Sequence, residues 1–386
     1  MAAVSLSYFD INPRALTVEP RPPSLCFKDK KERVYELIEK VGAGACGQVW
    51  KTATKTRIIA LKIFRPGPQS LELVKAESKI LQSVQTAPHV VKYKGAFTLT
   101  SVCDQGRDPA SVIGFQKEDG PIYALAMEYI RYKDAFETFI TPLSNSEIPS
   151  LAYYHVLNIG RQALETLVEL ESLNIVHREI KPSNFIYDPD TTLFKLLDFG
   201  YAEHAERIDF DDLVQARYYR APEVFLCGSY STKIDIWSLG VSLFAIYTGK
   251  PLFPISGDEK IATSIDHLYM MIQILGLSFS YAFIDSIDPC YRNDYFTKTS
   301  CKTLYRLVSP PSKKAVEEVN EYRKWAQNYR SVPVWEGCIL QTAQLKGDSE
   351  RGAKRLIALI RPMLAFENRI NAAEALKFFP RTTSKT

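Results

Sequence analysis

The stretch Val41-Gly-Ala-Gly-Ala-Cys-Gly-Gln-Val49 constrains this chain more than any other. Its G-x-G-x-x-G-x-V spacing lies between two strand-like runs, residues 34–41 and 48–54. Glycines let a backbone approach phosphate oxygens closely and adopt positive φ. A dinucleotide-binding crossover would place a helix directly after the last glycine. Here Val49-Trp50-Lys51 continues as strand, which points to a glycine-rich hairpin. Taken alone the spacing is a weak signal, and a plain structural turn would also satisfy it.

The chain around this hairpin divides by pattern. Residues 1–33 carry Pro13, Pro20, Pro22 and Pro23 and end in a charged run, so they read as an extended N-terminal arm. Residues 57–64 are β-branched and apolar, as a buried strand should be. Residues 71–84 have apolar side chains (Leu73, Ile80, Leu81, Val84) at helical spacing. Two further strands are expected over 90–98 and 122–130, joined by a polar segment, 99–121, that is long for a hairpin. Beyond Arg131 the pattern turns helical, beginning with an amphipathic helix over 152–173. The 386 residues suit two lobes better than one core, with 46% apolar and 24% charged residues typical of a globular protein. A net charge of +4 gives no support to nucleic-acid binding. Seven scattered cysteines, with no C-x-x-C pair, argue against a disulfide framework or zinc site and imply a reducing compartment, cytoplasm, nucleus or both. The most apolar stretch, 236–247, is too short to span a bilayer and reads as a buried helix, so no membrane role is expected.

Further motifs follow in order. Ile59-Ala-Leu-Lys62 ends an apolar strand, and Glu77 lies on the next helix. His177-Arg-Glu-Ile-Lys-Pro-Ser-Asn184 precedes Asp198-Phe-Gly200, and Ala221-Pro-Glu223 comes after that. A lysine ending a strand or a carboxylate on a helix is ordinarily a solvated charge, a reading that weakens with each ordered neighbour at this spacing. Over roughly residues 34–380 the chain resembles the eukaryotic protein kinases. The resemblance implies an α+β, bilobal fold: a small β-rich N-lobe over 34–127, a hinge and larger helical C-lobe over 128–380, and a tail over 381–386. Residues 278–351 are longer than that core needs and form a candidate insert. Val214-Gln-Ala-Arg-Tyr-Tyr-Arg-Ala-Pro-Glu223 and Asp266-His-Leu-Tyr-Met-Met-Ile-Gln-Ile-Leu-Gly276 resemble the CMGC group, in its SR-protein, CDC-like and DYRK branch.

Carried over residue by residue, the resemblance implies ATP and Mg²⁺ as cofactors and a protein as substrate. Val41, Gly42, Ala43, Gly44, Gly47 and Val49 would cover the phosphates. Lys62 would hold the α/β-phosphates, aimed by Glu77. Ala60, Met127, Glu128, Ile130 and Ile186 would line the adenine slot. Asn184 and Asp198 would ligate the metal through hard oxygens. Lys181 would contact the transferring phosphoryl group, as in serine/threonine kinases. Asp235 would steady the catalytic loop, and Arg369 would pair with Glu223.

Three positions depart from the family pattern. Glu179 stands where these enzymes carry the catalytic aspartate; the added methylene moves the carboxylate by about 1 Å, a misplacement that can cost roughly 10²-fold. Ala216 replaces a threonine that orients the catalytic loop in relatives. Residues 201–220 hold no serine or threonine, and Asp211 occupies the position of a regulatory phosphothreonine, where it is expected to pair with Arg178. Two functions remain open: a serine/threonine kinase using Glu179 as its base, or an ATP-binding pseudokinase that acts as a scaffold or allosteric partner of a regulatory protein.

Overall fold

A computed structural model describes residues 25–44, 46–102, 113–114, 120–130, 151–188, 191–208, 213–226, 229–255, 261–299 and 305–379. The chain forms two compact units, one of residues 1–85 with 91–131 and one of residues 86–90 with 132–386.

The first unit is a closed antiparallel barrel of β1 (Leu25–Asp29), β2 (Val34–Gly44), β3 (Gly47–Ala53), β4 (Ile58–Phe64), β5 (Tyr93–Val102) and β6 (Ile122–Glu128), in the order β1-β2-β3-β4-β6-β5. The sequence suggested only an arm before residue 34, yet β1 closes the barrel by pairing Cys26 with Glu36 on β2 and Phe27 with Val102 on β5. The charged run that disguised it turns around a buried carboxylate. Asp29 accepts the amides of Lys31 and Arg33 at 2.9 and 3.0 Å and the Arg33 Nε at 2.7 Å. Burial opposes that charge, but Arg33 and the two N–H groups outweigh it and hold the Asp29 pKa below its ordinary value. Phe27, Leu61 and Ile63 are fully buried in the barrel core. The long segment after β5 returns to this core at Ile113, which is buried and whose carbonyl accepts Gln48 Nε2 at 2.9 Å.

One helix, α1 (Ser70–Ser83), packs on β5 and β6. Val74, Ile80 and Leu81 face inward; Leu73, expected on the apolar face, is 40% exposed, so the buried stripe begins one residue later.

The second unit is helical. The helix Tyr153–Ser172 presents Val156, Ile159, Ala163 and Leu167 to its core. The helix Lys233–Thr248 is buried on every side from Ile234 to Thr248, which accounts for a stretch apolar all round. Residues 86–90 belong here because Thr166 Oγ1 donates to Pro88 O at 2.8 Å and the Leu196 amide to His89 O at 2.8 Å. The stretch 278–351 is not one appendage. Its helix Val334–Lys346 buries Trp335, Cys338 and Ile339, packs on the helices Lys233–Thr248 and Glu350–Ile360, and so belongs to the core. Among the described residues, no helix is long and apolar enough to cross a membrane.

Candidate functional site

In the first unit, β2 and β3 form the glycine hairpin through the pairs Gly42–Val49, Ala43–Gln48 and Gly44–Gly47. Gly47 is required by contact. A Cβ there would lie 2.1 Å from the Ile63 carbonyl oxygen, which belongs to the neighbouring strand's backbone and cannot step aside. Val41 is 39% exposed. Lys62 lies in β4, and its Nζ donates to both carboxylate oxygens of Glu77 on α1 at 2.8 Å. Both side chains are buried, at 8% and 3% exposure. A strand that ends in cationic reach and a helix that presents a carboxylate one layer away therefore make a closed ion pair. Ala60 pairs with Met127 across β4 and β6. The end of β6 is pinned where Glu128 accepts the Lys92 amide through Oε1 at 2.9 Å and donates its own amide to Lys92 O at 2.8 Å. Ile130 follows, half-buried.

The second unit holds the H-R-E loop after the short strand Ile175–Val176. His177 is fully buried. Its Nδ1 accepts the Glu179 amide at 3.2 Å, which assigns the proton to Nε2, 3.1 Å from Leu197 O. Burial drives its pKa down to about 4, keeping the ring neutral and the arrangement fixed. Asp235 fastens the loop from below: its carboxylate accepts the His177 amide at 2.7 Å and the Arg178 amide at 3.0 Å. Burial pushes this carboxyl up to about 7, against those two N–H groups.

Glu179 is the centre of a compact network. Its Oε1 lies 2.6 Å from Lys181 Nζ, and its Oε2 accepts Asn184 Nδ2 at 3.2 Å. Asn184 Nδ2 also donates to the Glu179 carbonyl at 2.8 Å. The longer side chain is thus accommodated by folding back onto the loop that carries it. Desolvation raises the Glu179 pKa, Asp198 adds to the rise, and Lys181 and Asn184 oppose it. Asp198 adopts φ 56° and Arg178 φ 63°, left-handed backbone that non-glycine residues take at a cost. The Asp198 Oδ1 accepts the Gly200 amide at 3.3 Å. The Asn184 amide oxygen and the Asp198 carboxylate are hard donors of the type Mg²⁺ takes and could hold it, since two protein ligands would suffice for an ion that keeps water and other oxygen ligands. Ile186 projects from the strand Phe185–Asp188 on the side opposite the buried Phe185 and Tyr187.

The Arg369 guanidinium pairs with both oxygens of Glu223 and also donates to the Lys233 and Ala365 carbonyls. Arg178 Nε donates to Tyr201 O at 2.6 Å; the expected pairing of Arg178 with Asp211 lies outside the described residues.

Gln215 is a residue the sequence reading missed. At φ 66°, it donates through Nε2 to Ile234 O at 3.0 Å and to Ser238 Oγ at 2.7 Å, and its Oε1 accepts the Ala221 amide at 2.9 Å. It ties the Ala-Pro-Glu turn to the core helix, next to Ala216. The signal was there in a polar residue between Val214 and Ala216, but nothing in the pattern marked it as buried.

Comparison with known proteins places the chain in a family. The protein kinase domain family matches residues 35–377. Homeodomain-interacting protein kinase 1 of Mus musculus is 28% identical over 253 residues, 64% of this chain and 19% of that protein. The protein of the same name in Caenorhabditis elegans is 28% identical over 249 residues, 63% of this chain and 26% of its own length. Homeodomain-interacting protein kinase 4 of Mus musculus is 28% identical over 232 residues, 57% of this chain and 33% of that protein. The match therefore spans about a third or less of each of these relatives. These relatives belong to the CMGC group that the Val214–Glu223 motif resembles. With the glycine hairpin, the Lys62–Glu77 pair and the H-R-E loop formed, and the family match running through most of its length, this chain belongs to the protein kinase family.

Proposed function

We propose that this chain transfers the γ-phosphate of ATP to a serine or threonine hydroxyl of a protein, with Glu179 as the base that receives the hydroxyl proton. The observation that supports it is the Glu179–Lys181–Asn184 network: the carboxylate is retained, held at 2.6 Å from a lysine, and surrounded by the groups such a reaction needs. Lys62, aimed by Glu77, would bind the nucleotide phosphates. Val41, Gly42, Ala43, Gly44, Gly47 and Val49 would exclude water over them, and Ala60, Met127, Glu128, Ile130 and Ile186 would take the adenine. Asn184 and Asp198 would hold Mg²⁺, which when bound neutralises charge developing on the phosphoryl oxygens. Lys181 has two tasks. It neutralises Glu179 in the resting protein and stands ready for an anionic group arriving at the loop. The raised pKa of Glu179 suits a base, because proton transfer is most effective when the carboxylate is not too weakly basic.

The missing threonine at position 216 favours a second reading, a nucleotide-binding scaffold without transfer. The deciding experiment follows radiolabelled phosphate from Mg-ATP into a degenerate peptide library. Transfer that disappears in both Asp198→Ala and Glu179→Ala supports the kinase reading. Transfer no greater in the unmodified chain than in Asp198→Ala, together with ATP-dependent thermal stabilisation, would leave the scaffold.

A further inference from the structure

Gln48 sits beside Gly47 at the root of the glycine hairpin, and neither the family motifs nor the nucleotide reading gives it a task. The strand pairs sort the two faces of the sheet. Gln48 lies opposite Ile63 and Trp50 opposite Leu61, whereas Val49 lies opposite Lys62. Directly paired residues share a face, and successive residues alternate. Gln48 and Trp50 therefore face the barrel core with Leu61 and Ile63, and Val49 faces the other side with Lys62. Gln48 is 9% exposed, and a buried amide has to be paired at both ends. Trp50 Nε1 donates to its Oε1 at 3.1 Å, and its Nε2 donates to the Ile113 carbonyl at 2.9 Å. An indole N–H only donates and a carbonyl only accepts, so these two partners fix which way the amide points.

Ile113 lies 65 residues further along the chain, in the connection from β5 to β6. Its side chain belongs to the same core as Leu61 and Ile63. Gly114 follows at φ 73°, and a Cβ there would meet nothing within 4 Å. Space does not call for glycine at this position; the left-handed backbone does, and that turn sets the plane of the carbonyl that Gln48 meets. We propose that Gln48 is a positioning residue of the nucleotide site, and that the β5–β6 connection, through the Ile113 carbonyl, holds the root of the glycine hairpin in place. The proposal rests on the reading of this hairpin as the cover of the ATP phosphates. Gln48 acts from the face opposite Lys62, and its effect reaches the nucleotide through Gly47 and Val49 on either side of it. Anything that draws Ile113 away from the barrel loosens the hairpin. Linkage makes the effect reciprocal, so that bound nucleotide tightens the connection.

The experiment uses the full chain and needs no phosphate transfer, so its outcome is separate from that of the kinase reading. Gln48→Met keeps the length of the side chain and removes both hydrogen bonds. Gly114→Val disfavours the left-handed turn, and Gly114→Asn tolerates it. Gln48→Met and Gly114→Val should each raise the Kd for Mg-ATP by about two- to ten-fold, the weight of one neutral hydrogen bond. Each should speed amide hydrogen exchange in residues 39–50 while β6 exchanges as before. The double variant should match the stronger single change, because both act through one bond, and Gly114→Asn should resemble the unmodified chain. Added Mg-ATP should slow exchange at Ile113 and Gly114. A lower melting temperature with an unchanged Kd would mean that the amide serves stability alone, and would overturn the proposal. Exchange that rises equally in the hairpin and in β6, or additive effects in the double variant, would overturn it as well. If the unmodified chain binds no Mg-ATP, the nucleotide reading falls and the exchange comparison decides: faster exchange confined to the hairpin keeps the tie to Ile113, and uniform exchange removes it.

Discussion

Replacing Glu179 by glutamine separates the charge of this residue from its shape. The side chain keeps its length, and its amide can still face Asn184, but it can no longer receive a proton. If Glu179 is the base, phosphate transfer falls by about 10²- to 10⁴-fold, the usual contribution of a positioned base, which corresponds to about 3–5 kcal/mol of barrier. The effect on stability should have the opposite sign to the effect on rate. Burial raises the Glu179 pKa above its ordinary 4.5. A carboxyl shifted upward contributes most to folding when it is protonated, below 4.5, and that contribution is lost as pH rises through the folded-state pKa. At neutral pH the folded protein therefore carries a disfavoured charge that glutamine removes. The Lys181 ammonium, only 17% exposed, loses its partner and limits the gain. The melting temperature of Glu179→Gln should match or exceed that of the unmodified chain while turnover collapses, which excludes unfolding as the cause. The pH–rate profile adds a second reading: the unmodified protein should lose activity on the acid side above the ordinary carboxylate range, and Glu179→Gln should have no such limb. Glu179→Asp keeps a carboxylate but withdraws it by about 1 Å, so the 2.6 Å contact to Lys181 opens beyond hydrogen-bond range; it should still exceed glutamine by about ten-fold or more. A glutamine variant with a third of normal turnover would refute the assignment.

Other perturbations test the scaffold around the site. Lys62→Met leaves Glu77 buried without its cation and should destabilise the protein by about 3–5 kcal/mol in denaturant titration; a loss below about 1 kcal/mol would mean that the pair is open in solution. Gly47→Ala should lower the melting temperature and nucleotide affinity together, because its Cβ meets the Ile63 carbonyl at 2.1 Å; unchanged thermal-shift titrations with Mg-ATP would contradict that. His267, 2% exposed, with Nε2 unpartnered, has its pKa pushed well below 6.5 by burial and by Arg220 and Arg217. Its contribution to stability is complete above 6.5 and is lost as pH falls, so His267→Leu should flatten the acid side of the stability profile between pH 6.5 and 5.

Much of this arrangement was legible before any coordinates, because the family motifs are recognised by their spacing. The hairpin glycines lie in the β2–β3 turn, Lys62 in β4 meets Glu77 on α1, and Asn184 donates to the Glu179 carbonyl, each on the kind of element that the sequence pattern suggested. What escaped is what depends on burial. β1 was hidden because charge run 28–33 looks solvated, while Asp29 is 1% exposed and organises that run from inside. Gln215 looks like an ordinary loop residue, since three hydrogen bonds to distant backbone and side-chain atoms leave no trace in the neighbouring sequence. Glu179 falls between these cases. Its identity was plain, but whether a longer carboxylate fits the loop depended on where it could fold. The loop answers with Lys181 two residues on and Asn184 five residues on, both close enough to hold the extra methylene's reach in place. The substitution therefore comes with its own local support, two side chains of the same loop that hold the longer carboxylate in one place.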